Sequence, residues 1–208
     1  MKHLTKILTA ALTTTCLLTS NALAFDDNDF LRLKQASFKE CRACNLQRVD
    51  LNGVDLREAN LRDTNLLLAN LGEADLRAAD LRGVALQGAN LRNADLRGTD
   101  LFKAQLLNTD LTGSDLREAN LRGAQLSGAI IVNADLSNLD LRGENLTDVN
   151  LSRSNLTQVN LSGAFGWGRT NLSSAILINA DLSRAGFQSV KLVGAQLINA
   201  NLQRIVLF

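Results

Sequence analysis

From Asn45 to Gly163 the apolar positions recur at every fifth residue. Leu stands at 46, 51, 56 and 61 and in every fifth position to Leu161, with Ile131 the one substitute, giving 24 centres. Two places before each centre sits a small or β-branched residue, such as Val49, Ala59, Thr64, Ala74 or Ala119, and one place before it is usually Asp or Asn. An α-helix turns about 100° per residue, so this spacing would scatter the Leu around all its sides. A flat strand would send successive Leu to opposite faces. The period fits a chain that bends once per repeat and keeps each Leu, and the small residue two before it, on the inside. Asp or Asn beside the Leu suits such a bend, because its short side chain hydrogen-bonds local backbone. Units of this kind bury their apolar side only by stacking.

The register breaks once. Ser162 to Arg169 separates Leu161 from Leu172 by 11 residues, one more than two repeats, and three Gly in that stretch permit a bulge at 164–169. Two readings of Phe165 and Trp167 stand there: a pair packed over the bulge, or an aromatic knob for a ligand or partner. Centres then continue at Leu172, Leu177, Leu182, Phe187, Leu192, Leu197, Leu202 and Leu207, which makes 33 pentads in all.

Ala59-Asn60-Leu61-Arg62-Asp63 and Ala79-Asp80-Leu81-Arg82-Gly83 resemble the A-(D/N)-L-x-x unit of the pentapeptide-repeat family. The resemblance covers most of the chain past its first 43 residues. It implies an all-β fold, a right-handed quadrilateral β-helix with four pentads per coil and so about eight coils, near 40 Å long at about 4.8 Å per coil. Residues twenty apart would then stack. On one side Asp55, Asp75, Asp95, Asp115 and Asp135 precede the Leu, and Arg57, Arg77, Arg97 and Arg117 follow it. The next side carries Arg62, Arg82, Arg122 and Arg142, interrupted by Phe102. These ladders read either as a solvated, salt-bridged surface or as a docking stripe for an anionic partner. In the last coils Ile178 and Ile198 take the places of the first Arg ladder, Val193 lies on a neighbouring side, and the sequence runs to Phe208 through Ile205-Val206-Leu207. That apolar end reads either as a candidate surface for a homodimer or another protein partner, or as a strand-like closure formed by the tail itself.

The first 24 residues read as a signal peptide: Lys2, His3 and Lys6, a short apolar run from Ile7 to Leu18, and Ala22-Leu23-Ala24 before the expected cut. The run is too short to span a bilayer, so no stable membrane insertion is expected after cleavage. Residues 25–43 form a capping segment, with a short helix predicted from about Phe30 to Ser37 behind Asp26, Asp27 and Asp29. Cys41-Arg42-Ala43-Cys44 closes it. The two Cys read as small inward residues at the capped end, either free or joined as a structural disulfide, a state that secretion favours. A redox-active pair and a metal site are the other readings.

Charge adds little bias. There are 22 Lys+Arg against 21 Asp+Glu. The near balance argues against a nucleic-acid-binding surface and against a strongly acidic mimic of nucleic acid. The single His lies in the leader, and the sequence has no Tyr. No nucleophile–base pair, phosphate loop, cofactor motif or metal-ligand set stands out. The expectation is one β-helix over 44–208 in a non-enzymatic, exported scaffold or interaction module without a cofactor. The resemblance places such proteins in a periplasm or thylakoid lumen. It also leaves two alternatives: the topoisomerase-directed nucleic-acid mimicry of some family members, and redox chemistry at Cys41 and Cys44.

Overall fold

A computed structural model describes residues 26–35, 37 and 39–208; the expected signal peptide lies outside them. Helix α1 spans Asp27–Gln35, and three short parallel strands follow far down the chain: β1 (Phe165–Gly166), β2 (Gly186–Phe187) and β3 (Val206–Leu207), in that order across one sheet. Elsewhere the chain is held by single parallel bridges between residues twenty apart, as in Asp55↔Asp75↔Asp95↔Asp115↔Asp135. Each twenty-residue coil therefore lies directly beside the next, and the pentads form four stacked columns. They are called here A to D, after Leu46, Leu51, Leu56 and Leu61.

One pentad shows how sequence dictates this path. Val49 N–H donates to Leu46 O at 3.2 Å, closing a turn whose third residue, Arg48, has φ +58°. Positive φ at that place alone marks a type II turn. Every corner from Ala43 to Arg204 is left-handed in this way, and only eleven of them are Gly. Stacking compensates for the strain of the others. Leu46 N–H donates to Asn65 O at 2.8 Å, and Asn65 N–H to Cys44 O at 2.8 Å, so each coil's backbone is satisfied by the next. The Asp or Asn before each Leu acts locally: Asp95 Oδ1 accepts from Arg97 N–H at 3.3 Å and Asn155 Oδ1 from Thr157 N–H at 3.1 Å.

The inside is the Leu stack with the small residues between, buried from Cys41 to Phe187. Where a hydroxyl replaces Ala it is satisfied: Thr99 Oγ1 donates to Leu76 O at 2.8 Å and Thr109 Oγ1 to Leu86 O at 2.7 Å. At the break the bridge spacing becomes twenty-one, in Asn150↔Asn171 and Asp181↔Asn160, then returns to twenty. Gly166 takes a Leu position in column A. The space it leaves is filled from the next coil by Phe187, whose ring edge would lie 3.2 Å from a Cβ at Gly166. Phe165 and Trp167, flanking Gly166, are not folded over the bulge; both are exposed, Trp167 to 58%.

Helix α1 begins three residues earlier than the sequence predicts. Asp26 Oδ1 accepts from Asn28 N–H at 2.8 Å and caps it, and Asp27 and Asp29 in the first turn favour the helix dipole. Leu33 is fully buried over the first coil, with Phe30 packed beside it. At the far end Leu192, Leu197, Leu202 and Leu207 have no following coil among the described residues and are partly or largely exposed.

Candidate functional site

Three surfaces include the residues singled out from sequence. The first is the latch at the N-terminal end. Cys41 and Cys44 are both buried and joined, with S–S 1.99 Å. Asp29 ties α1 to this turn through Oδ2, which accepts from Asn45 N–H at 2.6 Å, and Asp26 N–H donates to Asn45 O at 2.9 Å. Thr64 Oγ1 donates to Cys41 O from the next coil at 2.5 Å. A buried disulfide offers no thiolate for exchange or metal binding. Among the described residues no group of three His, Cys, Asp or Glu is placed to hold a metal ion.

The second surface is the charged ladder of column C. Each Arg here stands two residues after an Asp on the same outward side and grips it with two donors. Arg77 Nε reaches Asp75 Oδ1 at 2.8 Å and Nη2 reaches Oδ2 at 2.6 Å. Arg57, Arg97 and Arg117 repeat the fork with Asp55, Asp95 and Asp115. Each Nε also lies 3.5 to 3.9 Å from the Asp one coil on. Arg82 with Asp80, and Arg142 with Asp140, form the same fork in column D, and Arg82 Nε also lies 3.6 Å from Asp100 one coil on. The fork from Arg57 holds the Asp55 carboxyl down at about 2. Asp75, Asp80, Asp95, Asp115 and Asp140 are lowered by the same side-chain bond from their own Arg, against a smaller opposing effect of burial. For Asp110 burial is the largest influence and would raise the carboxyl; bonds from Thr112 and Arg92 outweigh it. Each fork engages two of the guanidinium's five donors and sets its charge against an adjoining carboxylate, which weakens its pull on an anionic partner.

The third surface is apolar and lies in the last three coils. Column A there carries Phe165 and Trp167, then Gly186 and Gln188, then Val206 and Phe208. A Cβ at Gly186 would meet nothing within 4 Å, so a gap separates Phe165 from Val206. Trp167 is pinned by its backbone: its N–H donates to Thr147 Oγ1 at 3.3 Å and its carbonyl accepts from Asp148 N–H at 3.1 Å. Along the whole of column A the residues just before and just after each centre carry no charge. Ile198 is 59% exposed on column C, where Ile178 is half-buried, and Val193 is 80% exposed on column B. The structure thus does not gather the sequence candidates into one site. It separates a zipped charged surface from an open apolar one. The charge-free run of column A was readable in the sequence, as a twenty-residue recurrence of Gln, Leu, Asn, Ser and Thr, but its meaning depends on which columns face the same way.

Comparison with known proteins agrees with this architecture. The family model described as pentapeptide repeats matches eight copies, over residues 44–83, 79–117, 94–131, 129–165 and 168–204. Among solved structures, HetL of the cyanobacterium Nostoc, a pentapeptide repeat protein involved in heterocyst differentiation regulation, is 31% identical. The match covers 85% of this chain and 94% of that one, with a TM-score of 0.32. A pentapeptide repeat protein of the Arabidopsis thaliana thylakoid lumen is 26% identical over 67% of this chain and 69% of its own, with a TM-score of 0.26. Full-length QnrB1, a plasmid-mediated fluoroquinolone resistance protein, is 17% identical over 77% of this chain and 80% of its own, with a TM-score of 0.42. No curated protein matches. The five-residue period and the family model matched over most of residues 44–204 establish that the chain belongs to the pentapeptide-repeat family.

Proposed function

We propose that this protein is a non-enzymatic interaction module, a right-handed four-sided β-helix that presents its last three coils to a protein partner. The observation that carries this reading is the change of surface along the rod. Up to Asp148, four Asp–Arg forks occupy column C and two occupy column D, and the exposed large apolar residues Leu68, Phe102 and Ile130 stand on different columns. Beyond it, Phe165, Trp167, Ile198, Val206 and Phe208 are exposed on the same scaffold. Exposed aromatic and aliphatic groups with few charges among them are the composition of an interface core.

The simplest partner is a second copy joined through the last coil, whose Leu192, Leu197, Leu202 and Leu207 have nothing over them among the described residues. Residues 1–24 act as a signal peptide and 25–43 as the cap of an exported protein in a periplasm or thylakoid lumen. The disulfide supports an oxidising address. Topoisomerase-directed mimicry of nucleic acid is disfavoured by the forks, since each carboxylate presented there is covered by a guanidinium. Redox catalysis is disfavoured by the burial of both Cys.

The test is sedimentation velocity across a concentration series, for the wild type and for Ile198→Glu and Phe208→Glu. Concentration-dependent dimer in the wild type and monomer in both variants supports joining through the last coil. A wild type that stays monomeric at every concentration removes the homodimer. A photo-crosslinker placed at Trp167 and at Gln87 then decides whether the last coils or the earlier column A surface meets another protein.

A further inference from the structure

The charges of the last coils are unlike those of the rest. Beyond Val149 the chain carries Arg153, Arg169, Arg184, Lys191 and Arg204 against the single carboxylate of Asp181. Arg184 and Arg204 stack on consecutive coils, with Arg184 N–H donating to Gln203 O at 2.9 Å. Both stand at left-handed corners, φ +59°, two places after their Leu. That placement matters. Arg77 stands one place after its Leu and lies on the same side as the Asp before it. Arg184 and Arg204 are carried round the corner instead, and among the described residues neither side chain has an ion pair or hydrogen-bond partner. Asp181 uses Oδ1 to accept from Ser183 N–H at 2.9 Å.

The two guanidiniums border a shallow pocket of about 280 Å³, completed by Ser183, Asn201 and Gln203, with no carboxylate in its lining. The same corner one coil earlier is Gly163, where a Cβ would meet nothing within 4 Å, so the approach to Arg184 is open. Two Arg on coils about 4.8 Å apart, with a hydroxyl and two amides beside them, form a pocket that carries two cations and several further donors; one of its amide oxygens, Asn201 Oδ1, already accepts from Gln203 N–H at 3.1 Å. Forked guanidiniums match a tetrahedral oxyanion.

We propose that Arg184 and Arg204, with Ser183, Asn201 and Gln203, form a binding site for a phosphate group, free or as the monoester of a small molecule. This assignment is independent of the interaction module argued above. It is tested on the full chain by isothermal titration with inorganic phosphate and with glycerol phosphate, each against sodium chloride at matched ionic strength. Saturable binding of phosphate is expected, weakened about tenfold or more by Arg184→Gln and by Arg204→Gln, since a hydrogen bond to a charged group contributes about 1.5–3 kcal/mol. Arg97→Gln, which removes a guanidinium held by Asp95, leaves binding unchanged. Tighter binding of glycerol phosphate than of phosphate identifies the monoester as the ligand form, and the reverse identifies the free ion. Circular dichroism confirms that each variant is folded. Equal weakening by Arg97→Gln and Arg184→Gln, or no heat beyond the chloride control, overturns the site.

Discussion

The pairing of Gly166 with Phe187 is the sharpest packing test the fold offers. Gly166 occupies a Leu position and does not have positive φ, so Ala there changes packing without changing the backbone preference. Its Cβ would lie 2.7 Å from Thr170 Oγ1, 3.2 Å from Leu146 O and 3.2 Å from Phe187 Cδ1. Thr170 is fixed by its own bond to Leu146 O at 2.9 Å, so it does not yield freely. Gly166→Ala is therefore expected to destabilise by about 1–3 kcal/mol, the range for overpacking a filled core. Phe187 is buried, and Phe187→Leu removes ring atoms that no neighbour replaces, for about 1.5 kcal/mol. Combined, the two changes relieve the ring contact while leaving those to Thr170 and Leu146. The double variant should thus lose less than the sum of the single losses, by about 0.5–1.5 kcal/mol. Urea unfolding followed by circular dichroism gives the three midpoints, compared at constant m. Losses that add to within about 0.3 kcal/mol would refute the reasoning, because they would mean that Phe187 does not fill the space above Gly166.

Three further expectations rest on other parts of the coil. At Gly163, φ is +67° with no neighbour within 4 Å, so Gly163→Ala should cost about 1 kcal/mol from backbone strain alone, whereas Ala78→Gly, at φ +56°, should be neutral or stabilising by up to about 1 kcal/mol in the same urea assay. Stability should be flat from neutral pH to about 4 and then fall. The Asp carboxyls held by Arg forks are lowered on folding, Asp55 to about 2, so their contribution is complete above the unfolded value near 3.9 and is lost as pH falls through the folded one; a thermal midpoint that already drops between pH 7 and 5 would exclude the forks as the cause. Reducing Cys41–Cys44 opens a loop of separation three, for which the chain-entropy relation gives about 2 kcal/mol, and hydrogen exchange should rise first in Asp27–Gln35, which is tied to that turn through Asp29; protection of α1 that survives reduction would show the latch to be independent of the disulfide.

Much of this protein follows from sequence alone. A strict five-residue period permits neither helix nor flat strand, so the Leu and the small residue before the Asp or Asn had to face inward, and both do. The slip of one residue after Leu161 was a matter of counting. Once residues twenty apart are taken as neighbours, the Asp55 to Asp135 ladder follows as well. Other features depend on distances that no period encodes. Whether an Arg is gripped or free turns on one position: Arg77 shares a side with Asp75, while Arg184 is turned away by a left-handed corner. Whether Phe165 and Trp167 fold in or stand out was decided by Gly166, which places no side chain in the core, and by Phe187, which arrives from the coil beyond to fill it. Local pattern determines which way each side chain points; only the stack of coils determines what it meets there.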